Sequence, residues 1–410
     1  MRIQILCPHF APDNHSATGV VMTALVENLV EEGHEVDVVT SLPWYRRHEV
    51  EAEWQGRPWR RERQPWGTIV RIWPFPTNKT NIPARAAGFA GFTALAVTQA
   101  LRLPKPDVVM AMSPPIFLGD AGWLVAKRWR VPLVFNTQDI FPDVAVDLGA
   151  LTNRWVIALA RLHERLVYRR ANAVTVLSDD QASNIRFKMP VDRYSQVHLI
   201  PNFVDSTTII PGPKDNWYRE KYDLTNKRVI MYSGNVGLSQ SFDLIREAAT
   251  HFGDRPDVHF VINGEGAARP QVDEWARDCA NLTVANFVSR EQVPDLLAAG
   301  DIHLVLLKSG LARSSTPSKL YGILAAGRPI LASIDEGSEV ASVVEKAGAG
   351  LAVPPDNAGA FIRALEEMLD APTDLEAMGK RAREFIETWP TPQEQAKRYS
   401  DLFGDLVAAT

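Results

Sequence analysis

Cysteine is nearly absent: the 410-residue chain has two, Cys7 and Cys279. A pair so far apart excludes both a disulfide framework and a C-x-x-C metal knuckle. Long apolar runs are missing too. The most hydrophobic stretch, 86–101, contains Thr93, Thr98 and Gln99 and falls short of the roughly 20 residues a membrane-spanning helix needs. The first residues run into a turn at Pro8, without the apolar core and cleavage site of a signal peptide. These absences predict a cytoplasmic chain. No strong charge bias exists, since 44 Lys/Arg against 49 Asp/Glu leave −5, whereas a general nucleic-acid binder carries a basic footprint. Several catalytic signatures have no counterpart. G-x-x-x-x-G-K-[ST], H-E-x-x-H and G-x-S-x-G do not occur, which removes P-loop, zincin and α/β-hydrolase readings. The first strand–helix loop is not G-x-G-x-x-G, which disfavours dinucleotide binding through that fingerprint. No two aspartates stand in D-x-D spacing, so a metal bridging a nucleotide diphosphate has no evident seat.

What is present alternates. Short apolar runs at 3–7, 36–40, 108–112, 133–136 and 174–177 read as buried parallel strands. Between the first two, Val21, Leu25 and Leu29 recur every four residues and Gly33 ends the helix. The pattern restarts after Pro201, Pro211, Gly212 and Pro213, with runs at 229–233, 258–263, 282–284, 302–307 and 330–332. The fold class expected is α/β, with two Rossmann-like, doubly wound parallel-sheet domains over 1–203 and 204–389. An isolated helix fills 390–410, and no fixed repeat points to a solenoid. Such sheets bind ligands outside the carboxyl ends of their strands, so a cleft between the domains is the expected site.

Four segments at those ends carry chemistry. The loop after Pro8 leads to Gly19, which opens the first long helix, where free N–H groups favour an anion or a plain cap suffices. Ser233-Gly234-Asn235-Val236-Gly237, with Gln240, precedes a helix expected near Ser241, and Asn263-Gly264-Glu265-Gly266 ends the next strand. Glycines there let a diphosphate approach the backbone closely. The stretch from Lys308 to Leu320 holds Lys308, Arg313, Lys319 and a run of hydroxyls. Pro317 in the first turn of a helix leaves Ser318 and Lys319 at its positive end, as a phosphate site or as a solvated basic loop. Finally, Gln138 and Asp139 follow the 133–136 strand. Asp139 could position an acceptor hydroxyl, take its proton, stabilise positive charge at a sugar carbon, or simply close a turn.

In this order and spacing the segments resemble the family 4 retaining glycosyltransferases of the GT-B fold. The likeness is strongest to the bacterial exopolysaccharide group of colanic-acid and fucosamine-type transferases. It is carried by the Gly19 loop, Gly33-His34-Glu35-Val36-Asp37-Val38-Val39-Thr40, Gln138-Asp139, Tyr232 to Gly237, Gly264-Glu265-Gly266, Pro317-Ser318-Lys319-Leu320 and Ala326-Gly327-Arg328-Pro329. The resemblance implies transfer of a sugar from a nucleotide-diphosphate sugar to a hydroxyl, with retention and without metal or cofactor. The acceptor it implies is a lipid-linked or cell-envelope polysaccharide precursor. The donor would lie in the second domain, on Ser233, Gly234, Asn235, Gly237, Gln240, Asn263, Gly264, Glu265, Phe287, Val288, Lys308, Pro317, Ser318, Lys319 and Leu320, with Gly19 from the first. Asp139, Gln138 and Lys319 would be catalytic, and the final helix would cross back onto the first domain.

Departures from the family pattern shift the roles. Asn235 and Gln240 stand where many members have Arg and Lys, and Ser314 and Gly322 where many have two glutamates. Gln138 replaces the catalytic-region His and cannot shuttle a proton at neutral pH. Diphosphate charge then falls to Lys319, next Lys308, then Arg313, while Glu339 is the substitute for a ribose contact. The departing diphosphate is expected to deprotonate the acceptor, and Lys319→Ala to lower turnover by orders of magnitude. The rival readings are a GT-B sugar-nucleotide epimerase and a catalytically lapsed scaffold subunit.

One stretch stands apart. Five of eleven tryptophans (Trp44, Trp54, Trp59, Trp66, Trp73) lie within thirty residues, and over 46–85 nine Lys/Arg face four Glu. Beyond it, Phe89, Phe92, Leu95 and Ala96 could share one helical face. Tryptophan settles at headgroup level and Arg attracts anionic lipid by about 1 kcal/mol per charge. Trp59, Arg60, Arg61, Phe89 and Phe92 are therefore expected to form an acceptor face in peripheral contact with an anionic inner leaflet. The alternative is an insertion whose tryptophans fold into the core.

Overall fold

The computed structural model describes residues 1–13, 17–44, 49–76 and 82–410. The expectations that fall on Asn14, His15, Ser16, Arg46, Arg47 and Lys79 lie outside them. The chain divides into two units, Met1–Asn202 with Pro392–Thr410, and Phe203–Thr391.

The first unit is built on eight strands: β1 (Arg2–Leu6), β2 (Glu35–Ser41), β3 (Trp59–Gln64), β4 (Gly67–Ile72), β5 (Val108–Ser113), β6 (Leu133–Thr137), β7 (Ala173–Val176) and β8 (Val197–Leu199). Their order is β3-β4-β2-β1-β5-β6-β7-β8. All pairs are parallel except β3 with β4. Every residue of β5, β6 and β7 is buried, as expected for a parallel sheet covered on both faces. β1 stands where the winding reverses, between β2 and β5.

The Trp-rich stretch includes a short 3-10 helix, Ala52–Trp54, ahead of two strands. Its second half forms the β3–β4 hairpin at the sheet edge, with Trp59 opposite Ile72 and Arg61 opposite Val70. The sequence WRRERQ of β3 alternates exposed and half-buried residues. Trp59 remains 41% exposed. Arg60 donates to the Glu53 carbonyl at 2.7 Å and lies over the Trp54 ring, and Arg61 is exposed.

The helix Ile82–Ala100 corrects the expectation for Phe92. Phe92 and Ala96 are buried at 4% and 0% exposure, in the cluster with Val39, Val70 and Ile72. Phe89 is half-buried. An apolar stripe of helical period fits a sheet as well as a membrane, and here the open face of the sheet takes it. Among the described residues no helix is long and apolar enough to cross a membrane.

The last helix, Pro392–Ala408, belongs to this first unit. Ala396, Tyr399 and Phe403 are buried. The Gln395 amide donates to the Pro201 carbonyl at 2.9 Å, and Asn136 Nδ2 donates to the Tyr399 hydroxyl at 2.8 Å.

The second unit holds β9 (Arg228–Ser233), β10 (Val258–Asn263), β11 (Leu282–Ala285), β12 (Ile302–Leu306), β13 (Ile330–Ser333) and β14 (Gly350–Val353). The order is β11-β10-β9-β12-β13-β14, all parallel. The chain runs outward from β9 in one direction through β10 and β11, then returns to its other side with β12. That reversal opens a crevice beyond the carboxyl ends of β9 and β12.

Candidate active site

The crevice of the second unit is lined by three turns. Leaving β9, Gly234 donates its N–H to the Asn263 carbonyl at 2.9 Å, and Val236 donates to the Glu265 carbonyl at 2.9 Å. The turns after β9 and β10 are thus stitched together. A Cβ on Gly264 would stand 1.8 Å from the Gly234 carbonyl oxygen, and one on Gly266 2.3 Å from that of Val236. Glycine at 264 and 266 is therefore required by the neighbouring turn. Gly234 is different: its φ is 131°, and its missing Cβ would lie 3.3 Å from Lys319 Nζ. Gly237 donates to Gln240 Oε1 at 3.0 Å, so Gln240 closes its own turn, while Asn235 is exposed.

The third turn follows β12 and is clamped by two aspartates. Ser309 N–H donates to Asp356 at 3.0 Å, and Gly310 N–H to Asp335 at 2.9 Å. Lys308 and Arg313 sit on its exposed side, whereas Ser314 is buried and its hydroxyl donates to the Leu311 carbonyl. The helix expected from Pro317 begins at Lys319 and is seven residues long, Lys319–Ala325. Pro317 and Ser318 precede it, and Ser318 makes no side-chain cap bond.

Lys319 is the residue on which these turns converge. Its residue surface is partly exposed, yet Nζ itself is buried and has no hydrogen-bond partner among the described residues. It rests 3.4 Å from the centroid of the Tyr232 ring, whose hydroxyl donates to the Asn235 carbonyl at 2.6 Å. Burial holds the Lys319 ammonium well below the ordinary lysine range. A buried amine without a partner is costly, and a negative ligand reverses that cost.

Other expected contacts move inward. Leu320 is fully buried, a core residue of the helix and not a ligand contact. Asn263 is 1% exposed, and its Oδ1 accepts from the Tyr218 hydroxyl at 2.9 Å, so its side chain supports the sheet end from within. Phe287 and Val288 are half-buried just past β11, on the same carboxyl edge, and Glu265 is half-buried past β10. Glu339 is half-buried in the first turn of Glu339–Ala347. Gly19 lies in the other unit, buried in the first turn of Ala17–Glu31, where its carbonyl accepts from Thr23.

In the first unit, Gln138 and Asp139 follow β6. Gln138 is 6% exposed and locked: Nε2 donates to Asn136 Oδ1 at 2.9 Å, while Oε1 accepts from Asn202 Nδ2 at 2.9 Å. Its carbonyl also accepts from Gln181 at 2.9 Å. Gln138 is therefore a peg that fixes the turn, and Asp139 stands half-buried beside it.

Sequence reading missed a neighbouring group. Buried His9 lies 3.1 Å from Asp13 through Nδ1, and its ring stacks on Trp44. Buried Arg71 of β4 bonds both the Ala11 carbonyl and Glu62 of β3. These ties set the course of the loop after β1. Only an i,i+4 His–Asp spacing hinted at them, and outside a helix that spacing carries no geometric meaning. Cys7 is inert by contrast, its thiol pushed up to about 12 by burial.

Two family descriptions match this chain in tandem: Glycosyl transferase 4-like domain over residues 16–202, and Glycosyl transferases group 1 over residues 214–385. Between them they take in most of its length. The chain belongs to the family 4 glycosyltransferases. It is 27% identical over 386 residues to WcaI of Escherichia coli (strain K12), a glycosyl transferase named for colanic acid biosynthesis, covering 91% of this chain and 93% of WcaI.

Solved structures show the same architecture. Sucrose-phosphate synthase from Thermosynechococcus elongatus superposes with a TM-score of 0.78 at 16% identity, covering all of both chains. HepE of Anabaena in complex with UDP-glucose gives 0.73 at 13% identity, covering 99% of this chain and 100% of HepE. This glycosyltransferase therefore has the GT-B fold.

Proposed function

We propose that this glycosyltransferase moves a sugar, with retention of anomeric configuration, from a nucleotide-diphosphate sugar to a hydroxyl of a lipid-linked polysaccharide precursor. It requires no metal. The observation that carries the reading is the buried ammonium of Lys319 beneath the Gly234 turn, without a hydrogen-bond partner among the described residues. A diphosphate laid over that turn brings the negative charge the amine lacks. Support also comes from HepE, whose structure contains UDP-glucose.

In the reaction the bond between the anomeric carbon and the phosphate oxygen breaks as the acceptor oxygen bonds the same face of that carbon. The acceptor proton passes to the departing phosphate oxygen. Lys319 stabilises the charge that develops on the diphosphate, a group aimed at the transition state from a site already shielded from water. Asp139 orients the acceptor hydroxyl and offsets positive charge at the sugar carbon, and Gln138 positions Asp139's turn. Glu339 takes the ribose contact. Gly234 leaves the diphosphate room above the amine, a role no residue with a Cβ can fill without displacing Nζ.

The test is product stereochemistry. A panel of α-linked uridine, guanosine and adenosine diphosphate sugars is offered with a lipid-linked acceptor, and the new linkage is read by NMR. An α-linked product is expected; a β-linked product from an α donor would contradict retention.

A further inference from the structure

The helix Arg154–Arg170 turns an apolar stripe outward. Trp155, Leu159 and Leu162 are 72%, 68% and 64% exposed, and Leu166 is 39% exposed. With about 100° of turn per residue, these four fall within a band of about 60°. Glu164, Val167 and Tyr168, which the unit buries, lie on the opposite side. Along one flank of the stripe run Arg154, Arg161, Arg165 and Arg169, all exposed. Among the described residues Arg154, Arg165 and Arg169 have no ion-pair partner.

We propose that this face docks the glycosyltransferase on an anionic membrane surface, with the helix lying in the interface. An exposed Trp/Leu stripe bordered by arginines is the pattern of an interfacial helix: rings and leucines enter the headgroup boundary while guanidinium groups meet lipid phosphates. Seventeen residues with five arginines cannot span a bilayer. A second copy of the chain fits the face poorly, because an antiparallel two-fold pairing sets each arginine ridge against its own image, a costly like-charge contact. The inference rests on the proposed lipid-linked acceptor for its purpose. It also moves the membrane contact away from Phe92, which is in the core.

Flotation of the full chain with phosphatidylcholine vesicles, with and without phosphatidylglycerol, tests it. The wild type is expected to float with the anionic vesicles. L159S/L162S and R165E/R169E are each expected to bind them at least about tenfold more weakly, with unchanged nucleoside-diphosphate binding by calorimetry. Failure of the wild type to float, or flotation of both variants like the wild type, overturns the proposal. So does a wild-type dimer that L159S/L162S dissolves without any vesicle binding. Loss of the transferase reading would appear separately, as no donor turnover by a protein that still floats.

Discussion

At the residue scale the account turns on one amine. Lys319 reaches under the Gly234 turn, lies against the Tyr232 ring and finds no hydrogen-bond acceptor among the described residues. Contact with the ring face recovers part of the lost hydration of a cation and no more. Burial therefore lowers the pKa of the free protein's Lys319, and an adjacent diphosphate raises it again. The sign follows: between the lowered value and the value in the complex, binding takes up a proton, so affinity falls as pH rises through that window. Calorimetric titration of UDP in buffers of different ionisation heat should report this uptake in the wild type and none in Lys319→Met. Lys319 was legible in the sequence because Pro317-Ser318-Lys319 stood out as a motif. The locked amide of Gln138 was not, since both its partners, Asn136 and Asn202, are brought to it by the fold.

At the element scale, most of the strands could be read and the edges could not. β5, β6 and β7 are apolar runs because both faces of the sheet are covered. β3 has a single apolar residue, Trp59, and forms only because β4 offers its edge. The glycine turns illustrate a second limit. Composition suggests that Gly234, Gly264 and Gly266 all make room for ligand, yet two of the three make room for another loop. Gly264→Ala drives a methyl group into the Gly234 carbonyl and should cost about 3 kcal/mol, measured by urea unfolding. Gly310→Ala, at φ 82° with open space around its missing Cβ, should cost only roughly 1–2 kcal/mol, from backbone strain alone.

At the scale of the whole molecule, the sequence places the break between units near residue 203, and contacts divide the chain after Asn202. The last helix is legible as an isolated segment, while its seat is a tertiary matter decided by Gln395, Tyr399 and Phe403. Surface chemistry was the least legible layer. The basic, Trp-rich stretch is conspicuous in the sequence, but its partner helix turns Phe92 inward, and an exposed apolar stripe lies on Arg154–Arg170. Hydrophobic periodicity identifies a face without saying what covers it.

The central claim, that Lys319 is held unpaired in order to receive the donor diphosphate, is tested most directly by thermal unfolding of the wild type and Lys319→Met with and without UDP. Removing a buried, unpartnered amine should raise the melting temperature of the free protein by about 2 °C or more. A nucleoside diphosphate at about 100 times its Kd should raise the wild type by roughly 3 °C and leave the variant unmoved. A variant that melts lower than the wild type when free, and gains as much from the diphosphate, would contradict the account.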